Sequence, residues 1–297
     1  MKKLQKTEQR NPRTRGLDRK SAREILQMLN REDTRVPAAV AREIPAISRA
    51  VEEVVRAFRH GGRLIYIGAG TSGRLGVLDA SEIPPTFGVP PGLVQGVIAG
   101  GRGALVRAVE GAEDSAALGK HDMAAKQITR QDVVVGLTAS GSTPYVLGAL
   151  QYARSRGAAT VAVTCNRRSR IARVAQIVIA PEVGAEAIAG STRMKAGTAQ
   201  KLVLNMLSTA VMVRLGHVYD NWMINVAKTN RKLRRRAERI LEEATGANVA
   251  AVRRALRQAG HDLRVALVML KKDVDADEAQ QRLRRAGGNL RRALGER

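Results

Sequence analysis

Cysteine is nearly absent from this sequence of 297 residues. Cys165 is the single one, so no intramolecular disulfide can form. It follows an apolar, β-branched run, where a buried and unreactive thiol is a more common outcome than a catalytic one. No metal-ligand spacing links it to the four histidines, which are His60, His121, His217 and His261. We therefore expect neither a metal nor another cofactor.

Long apolar runs are also missing. Although 44% of the residues are hydrophobic, no uninterrupted apolar stretch reaches the about 18 residues that a membrane-spanning helix needs. The first 20 residues are polar and basic and lack the apolar core of a secretion signal. We expect a globular protein that stays in the cytoplasm and does not bind a membrane, with a core sufficient for one or two domains.

Aromatic residues make up only 2% of the chain, which nearly excludes the base-stacking surfaces of single-strand binders. The net charge of +24 would otherwise suggest nucleic acid. Residues 231–297 contain 18 Lys and Arg against 9 Asp and Glu, a surplus of 9, and the other 15 positive charges are spread over residues 1–230. We expect no nucleic-acid partner, but a general attraction for phosphorylated substrates.

The residue pattern divides the chain into three parts. Residues 1–60 have helical periodicity, with Ser21 before one apolar run and a second run from Ala38 to Phe58 beyond Pro37. Residues 61–230 alternate short β-branched runs with small-residue loops and helices, which predicts a doubly wound α/β domain with a parallel five-stranded sheet. The predicted strands are Leu64–Gly68, Leu93–Ala99, Asp132–Thr138, Thr160–Thr164 and Gln176–Ala180.

Residues 231–297 are Arg-rich with a helical pattern, broken at Gly246, Gly260 and Gly287. We expect a small C-terminal helical domain of three helices. A DNA-reading helix-turn-helix is an alternative with a weak base-contact signature. The apolar faces of the domain are predicted at Val249, Val252, Leu256, Leu263, Ala266, Leu267 and Leu270.

A small-residue loop, GAGTSGRLG, begins at Gly68, where the first strand should end and a helix begin. Main-chain N–H groups from Gly70 to Gly73, with the hydroxyls of Thr71 and Ser72, can hold a phosphate at such a helix end. A tight turn that needs glycine only for its backbone is the alternative. The GxGxxG spacing also fits a dinucleotide loop, but Asp79 falls too early to bind a ribose.

A second loop of this kind follows the third predicted strand and contains Ser140, Ser142 and Thr143. Two hydroxyl-rich loops at the carboxyl ends of parallel strands favour the binding of a sugar phosphate. They make it less plausible that the first loop is only a tight turn.

Two acidic positions are candidates for proton transfer. Glu82 precedes Pro84 and Pro85, which we expect to stop the helix and hold Glu82 at its end. Glu113 lies in the acidic stretch EGAED of a basic protein. The alternative for Glu82 is an ordinary surface acid. The alternative for the stretch around Glu113 is a helix-end charge cluster or an N-cap at Asp114. Spacing alone favours these alternatives.

Four segments carry a resemblance to a known family. They are LIYIGAGTSGRLGVLDASEIPPTFG from residue 64, VEGAEDS from 109, ASGSTPYV from 139 and GSTRMKAGTAQK from 190. Together they resemble the N-acetylmuramic acid 6-phosphate etherases over nearly the whole chain. The resemblance implies the sugar isomerase (SIS) fold, a homodimer, and Glu82 and Glu113 as the acid/base pair. Ser142 departs from the family, in which many members have Arg at that position of the loop.

The resemblance implies elimination of a D-lactyl ether at C3 of an N-acetylated aminosugar 6-phosphate. Glu82 is assigned as the proton donor to the leaving lactate and Glu113 as the base. The phosphate is expected to contact Ser72, Ser140, Ser142 and Thr143 and the loop N–H groups. Further contacts are expected from the segment that opens the next helix, through Ser191, Arg193 or Lys195.

Three other functions share this pattern. A ligand-sensing protein like the glucokinase regulatory proteins would be longer and would carry the sugar-binding domain twice. An aldose-ketose isomerase also needs a carboxylate base at C2 but would release no lactate. A SIS-type transcription regulator needs a DNA-reading helix before the sugar domain, and residues 1–60 show no convincing one.

Overall fold

The computed structural model describes residues 6–225 and 231–296. By contacts between residues, the chain divides into two compact units. The first comprises the residues up to Ser81 and Pro91–Ser208, and the second comprises Glu82–Pro90 and the residues from Thr209 onward. The division at residues 60 and 230 rests on sequence pattern and stays a prediction.

The first unit opens with three 3-10 turns, Lys6–Glu8, Pro12–Thr14 and Leu17–Arg19, and three helices: α1 (Ala22–Asp33), α2 (Val36–Ala41) and α3 (Ile44–Arg59). Ser21 caps α1 in a capping box with Glu24, as its position predicts. The run from Ala38 to Phe58, expected to be one helix, is divided between α2 and α3. The division comes just before Pro45, which stands in the first turn of α3, where its missing N–H is tolerated.

The sheet has five strands: β1 (Leu64–Gly68), β2 (Val94–Ile98), β3 (Val133–Leu137), β4 (Ala159–Val163) and β5 (Ile177–Ile179). All neighbours are parallel and the order is β2-β1-β3-β4-β5. The predicted five-stranded, doubly wound fold is therefore confirmed, with strand bounds within one residue of those predicted. Strands β1 and β3 are buried at every residue, as expected for a sheet covered on both faces.

Helices connect and follow the strands: α4 (Gly70–Phe87), α5 (Ala116–Ala125), α6 (Pro144–Ser155), α7 (Arg170–Val174) and α8 (Lys195–Arg214). Helices α5 and α6 lie in close contact because glycine replaces a side chain on each. A Cβ on Gly119 would lie 1.9 Å from the carbonyl oxygen of Tyr145, and one on Gly148 would lie 2.1 Å from that of Ala116. The core of this unit lies between such helices and the sheet.

The prediction that Pro84 and Pro85 stop α4 after Glu82 is wrong. The helix continues to Phe87, and the N–H of Gly88 donates to the carbonyl oxygen of Pro84 at 2.9 Å. Each proline removes one main-chain donor, so the carbonyl oxygens four residues earlier, at Ala80 and Ser81, lose their usual donors within the helix. Gly88 has a positive φ of 65°, which ends the helix.

In its described residues, the second unit has a short hairpin, β6 (Val218–Tyr219) and β7 (Trp222–Met223), and five helices where three were expected. These are α9 (Arg231–Thr245), α10 (Val249–Gln258), α11 (Leu263–Lys272), α12 (Ala276–Arg285) and α13 (Leu290–Ala293). The additional break lies at Asp273, which has a φ of 52°, followed by Asp275 as the N-cap of α12. Of the predicted apolar positions, Val252, Leu256, Leu263, Ala266 and Leu267 are buried, whereas Val249 is exposed.

No helix in the described part of the chain has the length and apolar character needed to cross a membrane.

The contact between β1 and α4 depends on glycine. A Cβ on Gly73 would lie 2.7 Å from the carbonyl oxygen of Gly68 and 2.6 Å from Cγ1 of Ile98. We expect Gly73→Ala to lower the free energy of unfolding by about 1–3 kcal/mol, because the overpacking outweighs the gain in helix propensity of up to about 1 kcal/mol. Chemical denaturation measures this difference.

Gly92→Ala is the matched control, since a Cβ there meets no described atom within 4 Å. It should leave the unfolding free energy nearly unchanged. Equal unfolding free energies for the two variants would contradict the close approach at Gly73.

Candidate active site

The first predicted loop lies directly between β1 and α4. Gly70 has a φ of 51° and begins the helix, and the N–H of Gly73 donates to the carbonyl oxygen of Ala69 at 3.1 Å. The N–H groups of the residues before Gly73 in this first turn point along the helix axis toward the loop. The hydroxyl of Ser72 is buried and donates to Oε1 of Gln200 in α8 at 2.8 Å. The loop therefore combines helix-end N–H groups with a hydroxyl that already has a protein partner.

The second predicted loop lies between β3 and α6 and contains a hydroxyl cluster. Thr138 Oγ1 lies 2.7 Å from Thr143 Oγ1 and 3.3 Å from Ser140 Oγ, and Ser142 donates its hydroxyl to Ser140 at 3.0 Å. Gly141 turns the loop with a φ of 73°. The cluster presents short polar side chains at the amino end of α6.

Strand order brings these two loops to one edge of the sheet. Strand β1 pairs with β2 on one side and β3 on the other, so the direction of winding changes between β1 and β3. In open parallel sheets, ligands bind outside the carboxyl ends of the strands at such a switch point. The topology thus places Gly70, Thr71, Ser72 and Gly73 beside the loop of Ser140, Ser142 and Thr143.

Glu113 lines a cavity of about 180 Å³ together with Gly70 and Arg74. It is exposed, in the 3-10 turn Ala112–Asp114 that Gly111 opens with a φ of 71°. Arg74 donates to the main-chain oxygens of Leu105 at 3.1 Å and Arg107 at 3.4 Å. A carboxylate, a guanidinium and the first loop therefore share one concave surface. The cap of α5 is Ser115 rather than Asp114, so the N-cap alternative for Asp114 is wrong.

Glu82 lies in α4 with its side chain exposed and belongs to the second compact unit, whereas Glu113 belongs to the first. Glu82 is not among the residues that line the Glu113 cavity.

The structure separates the three residues expected near the start of α8. Ser191 is half-buried and Arg193 is exposed, but Lys195 is only 1% exposed. Its Nζ donates to Oε2 of Glu32 and to the carbonyl oxygen of Ala185, both at 2.6 Å. The ammonium group therefore has internal partners, which does not support the expectation that Lys195 binds the phosphate.

Glu32 joins three distant segments of the first unit. Besides Lys195, it accepts hydrogen bonds from Asn11 at 2.8 Å and from both Nε and Nη2 of Arg13. The hydrogen bond from Arg13, with smaller contributions from Lys195 and Asn11, lowers the pKa of Glu32 to about 2 against the opposing effect of burial.

Glu186 caps the amino end of α8. Its carboxylate accepts from the N–H groups of Lys195 at 3.0 Å and Ala196 at 2.9 Å. Burial raises the pKa of Glu186, and these two N–H groups partly offset that increase. The two carboxylates, Glu32 and Glu186, thus hold both the side chain and the main chain of the first residue of α8.

Four residues in or beside the first loop or at the start of α8 were missed by the sequence analysis: Arg74, Glu32, Glu186 and Gln200. Arg74 had a usable signal, because it follows the small-residue loop within the first turn of a helix. The other three lie up to 163 positions from their partners in the sequence, as with Glu32 and Lys195, and no local pattern marks them. Among the described residues, no group of three or more His, Cys, Asp or Glu could hold a metal ion.

Comparison with known families supports a sugar isomerase domain. Residues 46–154 match the glucokinase regulatory protein N-terminal SIS domain, and residues 109–210 match the SIS domain. A candidate phosphosugar isomerase involved in capsule formation, from Bacteroides fragilis NCTC 9343, aligns with a TM-score of 0.52 at 18% identity, over 72% of this chain and 98% of that chain. That likeness concerns the fold alone. The class defined by the fold and the loops is therefore that of SIS-domain proteins.

Sequence relatives define the family within this class. The N-acetylmuramic acid 6-phosphate etherase of Serratia proteamaculans (strain 568) is 58% identical over 288 residues, which cover 97% of each chain. The etherase of Pectobacterium atrosepticum is 57% identical over 288 residues, covering 97% of this chain and 95% of that one. This chain belongs to the N-acetylmuramic acid 6-phosphate etherase family.

The buried pair of Lys195 and Glu32 predicts a large effect of neutralising one partner. We expect Lys195→Met to lower the free energy of unfolding by about 3–5 kcal/mol, because Glu32 would lose one of its two cationic partners while remaining buried. Urea denaturation at pH 7 measures the difference.

Lys20→Met serves as the control, since Lys20 pairs with Glu24 at the surface, where the two side chains are 41% and 47% exposed. Screening by water makes that pair weak, so the variant should unfold like the parent. A Lys195→Met protein as stable as Lys20→Met would contradict the role of the buried pair.

Proposed function

We propose that this chain is a carbon–oxygen lyase that converts N-acetylmuramic acid 6-phosphate to N-acetylglucosamine 6-phosphate and D-lactate, in the recycling of cell-wall sugars. The observation that carries the proposal is 57–58% identity, over 97% of the chain, to relatives that are named for this substrate and for ether cleavage. The two hydroxyl-bearing loops at the switch point of the sheet support a sugar phosphate as the ligand.

Elimination follows from the position of the ether. In the ring-opened sugar, the C1 aldehyde acidifies the C2 proton, and the lactate oxygen on C3 is a leaving group β to that carbonyl. A base removes the C2 proton, an acid protonates the departing lactate oxygen, and water then adds to the unsaturated aldehyde. Two carboxyl groups suffice for these proton transfers.

The family resemblance implies Glu82 and Glu113 as the acid/base pair, and in this proposal Glu113 is the base and Glu82 is the acid. The position of Glu113 supports its role, because its carboxylate lines a cavity with Gly70 of the phosphate loop. Arg74 on the same cavity wall adds positive charge where anionic intermediates of the elimination form. Glu82 has an exposed carboxylate that is accessible to a substrate.

The phosphate group is held by the amino ends of two helices in this proposal. The first-turn N–H groups of α4, with Thr71 and Ser72, contact it from one side. Ser140, Ser142 and Thr143 contact it from the loop before α6, where short hydroxyl side chains stand in for the Arg of many relatives. Ser191 and Arg193 are further candidate contacts, whereas Lys195 acts inside the protein by holding Glu32.

The proposal includes a homodimer, as the family resemblance implies, and a location in the cytoplasm, with a small sugar phosphate as the ligand and no nucleic-acid or membrane partner.

A lactate-release assay tests the proposed reaction. The purified chain should form D-lactate and N-acetylglucosamine 6-phosphate without added metal, and EDTA should not stop it. In heavy water the product should carry deuterium at C2, and in ¹⁸O-labelled water it should carry the label at the C3 oxygen. A product with its original C3 oxygen would rule out elimination and rehydration. The unphosphorylated sugar should react poorly, since the loops are arranged for a phosphate.

The two glutamates are tested by isosteric substitutions. Glu82→Gln and Glu113→Gln should each lower turnover about a hundredfold or more while leaving the unfolding free energy unchanged, because the amide cannot transfer a proton. Asp114→Asn is the control: Asp114 is exposed in the same 3-10 turn as Glu113 and has no role in the proposal. Near-normal turnover of both Gln variants would return Glu82 and Glu113 to the status of surface acids.

A further inference from the structure

Two buried side-chain atoms in the described part of the chain have no hydrogen-bond partner: Ser169 Oγ and Gln200 Nε2. Gln200 lies in the second turn of α8 and is 1% exposed. A buried amide donor without a partner is unfavourable by about 1–3 kcal/mol, so its retention calls for an explanation. The other end of the same amide accepts the hydroxyl of Ser72 in the first loop at 2.8 Å. The unpaired donor is therefore part of a group that contacts the candidate phosphate site.

The direction of the Ser72 hydrogen bond limits what this residue can bind. A serine hydroxyl has one hydrogen to donate, and a phosphate oxygen only accepts hydrogen bonds in its ionised form. While Ser72 donates to Oε1 of Gln200, it has no hydrogen left for a phosphate. For Ser72 to hold the substrate, Gln200 must act as the donor to Ser72 instead.

Reversal of the Gln200 amide meets this requirement without other movement. The two ends of the amide have nearly the same shape, and only hydrogen bonding distinguishes them. Reversal places Nε2 against Ser72 Oγ, so the buried donor gains an acceptor and the hydrogen of Ser72 becomes available to the ligand. The atom then left unpaired is a carbonyl oxygen, which structures tolerate more often than an unpaired N–H.

We propose that Gln200 is a positioning residue for substrate binding: by donating its amide N–H to Ser72 Oγ, it directs the Ser72 hydroxyl hydrogen at the substrate phosphate. The inference rests on the proposed role of the first loop as the phosphate site. Gly197 of α8 faces the same loop, since a Cβ on Gly197 would lie at ordinary contact distance, 3.5 Å, from Cγ2 of Thr71.

Calorimetric titration with N-acetylglucosamine 6-phosphate and with unphosphorylated N-acetylglucosamine tests the proposal. Gln200→Met and Ser72→Ala should each weaken binding of the phosphorylated sugar about tenfold or more, the loss expected for one charge-assisted hydrogen bond. Binding of the unphosphorylated sugar should not change. The double variant should bind no more weakly than Ser72→Ala alone, because Gln200 acts through Ser72.

Gln176→Met is the matched control. The Gln176 side chain also makes an internal hydrogen bond, from the N–H of Thr160 at 2.9 Å, but at the amino end of β4, away from the two loops. This variant should bind both sugars like the parent. Losses that add in the double variant, or equal losses for both sugars, would overturn the proposal and leave Gln200 with a packing role only.

Gln200→Glu separates the two directions of the hydrogen bond. An ionised carboxylate only accepts, so it preserves the observed bond from Ser72 and prevents the reversed one. We expect it to weaken binding of the phosphorylated sugar, and the effect of its charge is measured in the Ser72→Ala background. Parent-like binding by Gln200→Glu at a pH where its carboxyl is ionised would overturn the proposal.

A lactate-release assay distinguishes failure of the proposed function from failure of the proposed role of Gln200. A parent chain that binds the phosphorylated sugar but releases no lactate contradicts the proposed function alone. A parent that releases lactate, with Gln200→Met binding normally, contradicts the inference alone. A parent that binds no phosphorylated sugar overturns both.

Discussion

The pairing of β1 with both β2 and β3 is the constraint on which the candidate site depends. Since the winding changes direction between β1 and β3, the loops after these two strands are not covered by a crossover on the same side. The loop after β1 can then start α4 with Gly70 and leave the main-chain N–H groups of the first turn accessible. Gly68 and Gly73 make this possible on β1, because side chains there would push α4 off the strand.

Buried carboxylates organise the rest of the first unit. The chain has 27 acidic residues against 51 Lys and Arg, yet several acids are inside. Glu43 binds Arg167 and the N–H of Ala180, and Asp132 binds Arg63 and the N–H of Thr129. Each of these carboxylates accepts hydrogen bonds from a cationic side chain that is far away in the sequence and from a main-chain N–H group. Glu32 differs because its donors are side chains. Three buried acids of this unit, Glu32, Glu43 and Asp132, thus pair with a cation, whereas Glu186 accepts from main-chain N–H groups instead.

The sequence predicted those parts of the fold that local pattern controls. Strands β1 to β5 follow from β-branched runs between small-residue turns, and the start of α1 follows from the position of Ser21 before an apolar run. The prediction at Pro84 was wrong because two prolines in the last turn of a helix remove only two main-chain donors, and the helix continues to Phe87. The burial of Lys195 could not be predicted, since its partner Glu32 lies 163 residues away and charge alone favoured an exposed anion-binding role. The roles of Glu82 and Glu113 depend on family resemblance, because the local sequence does not determine what surrounds either side chain.

The environment of Glu32 also determines how folding is coupled to proton uptake. Its folded pKa of about 2 lies below the about 4.3 of an unfolded glutamate, so unfolding in mild acid takes up a proton. The stabilisation is complete above the unfolded pKa and is lost as the pH falls toward 2. Glu186 and Asp79 have raised pKa values, mainly through burial, so in folded protein they retain protons that unfolding releases. Their contribution weakens as the pH rises through those raised values. The two kinds of carboxylate act in opposite directions and in adjacent pH ranges: unfolding takes up a proton at Glu32 below the unfolded pKa and releases protons at Glu186 and Asp79 above it.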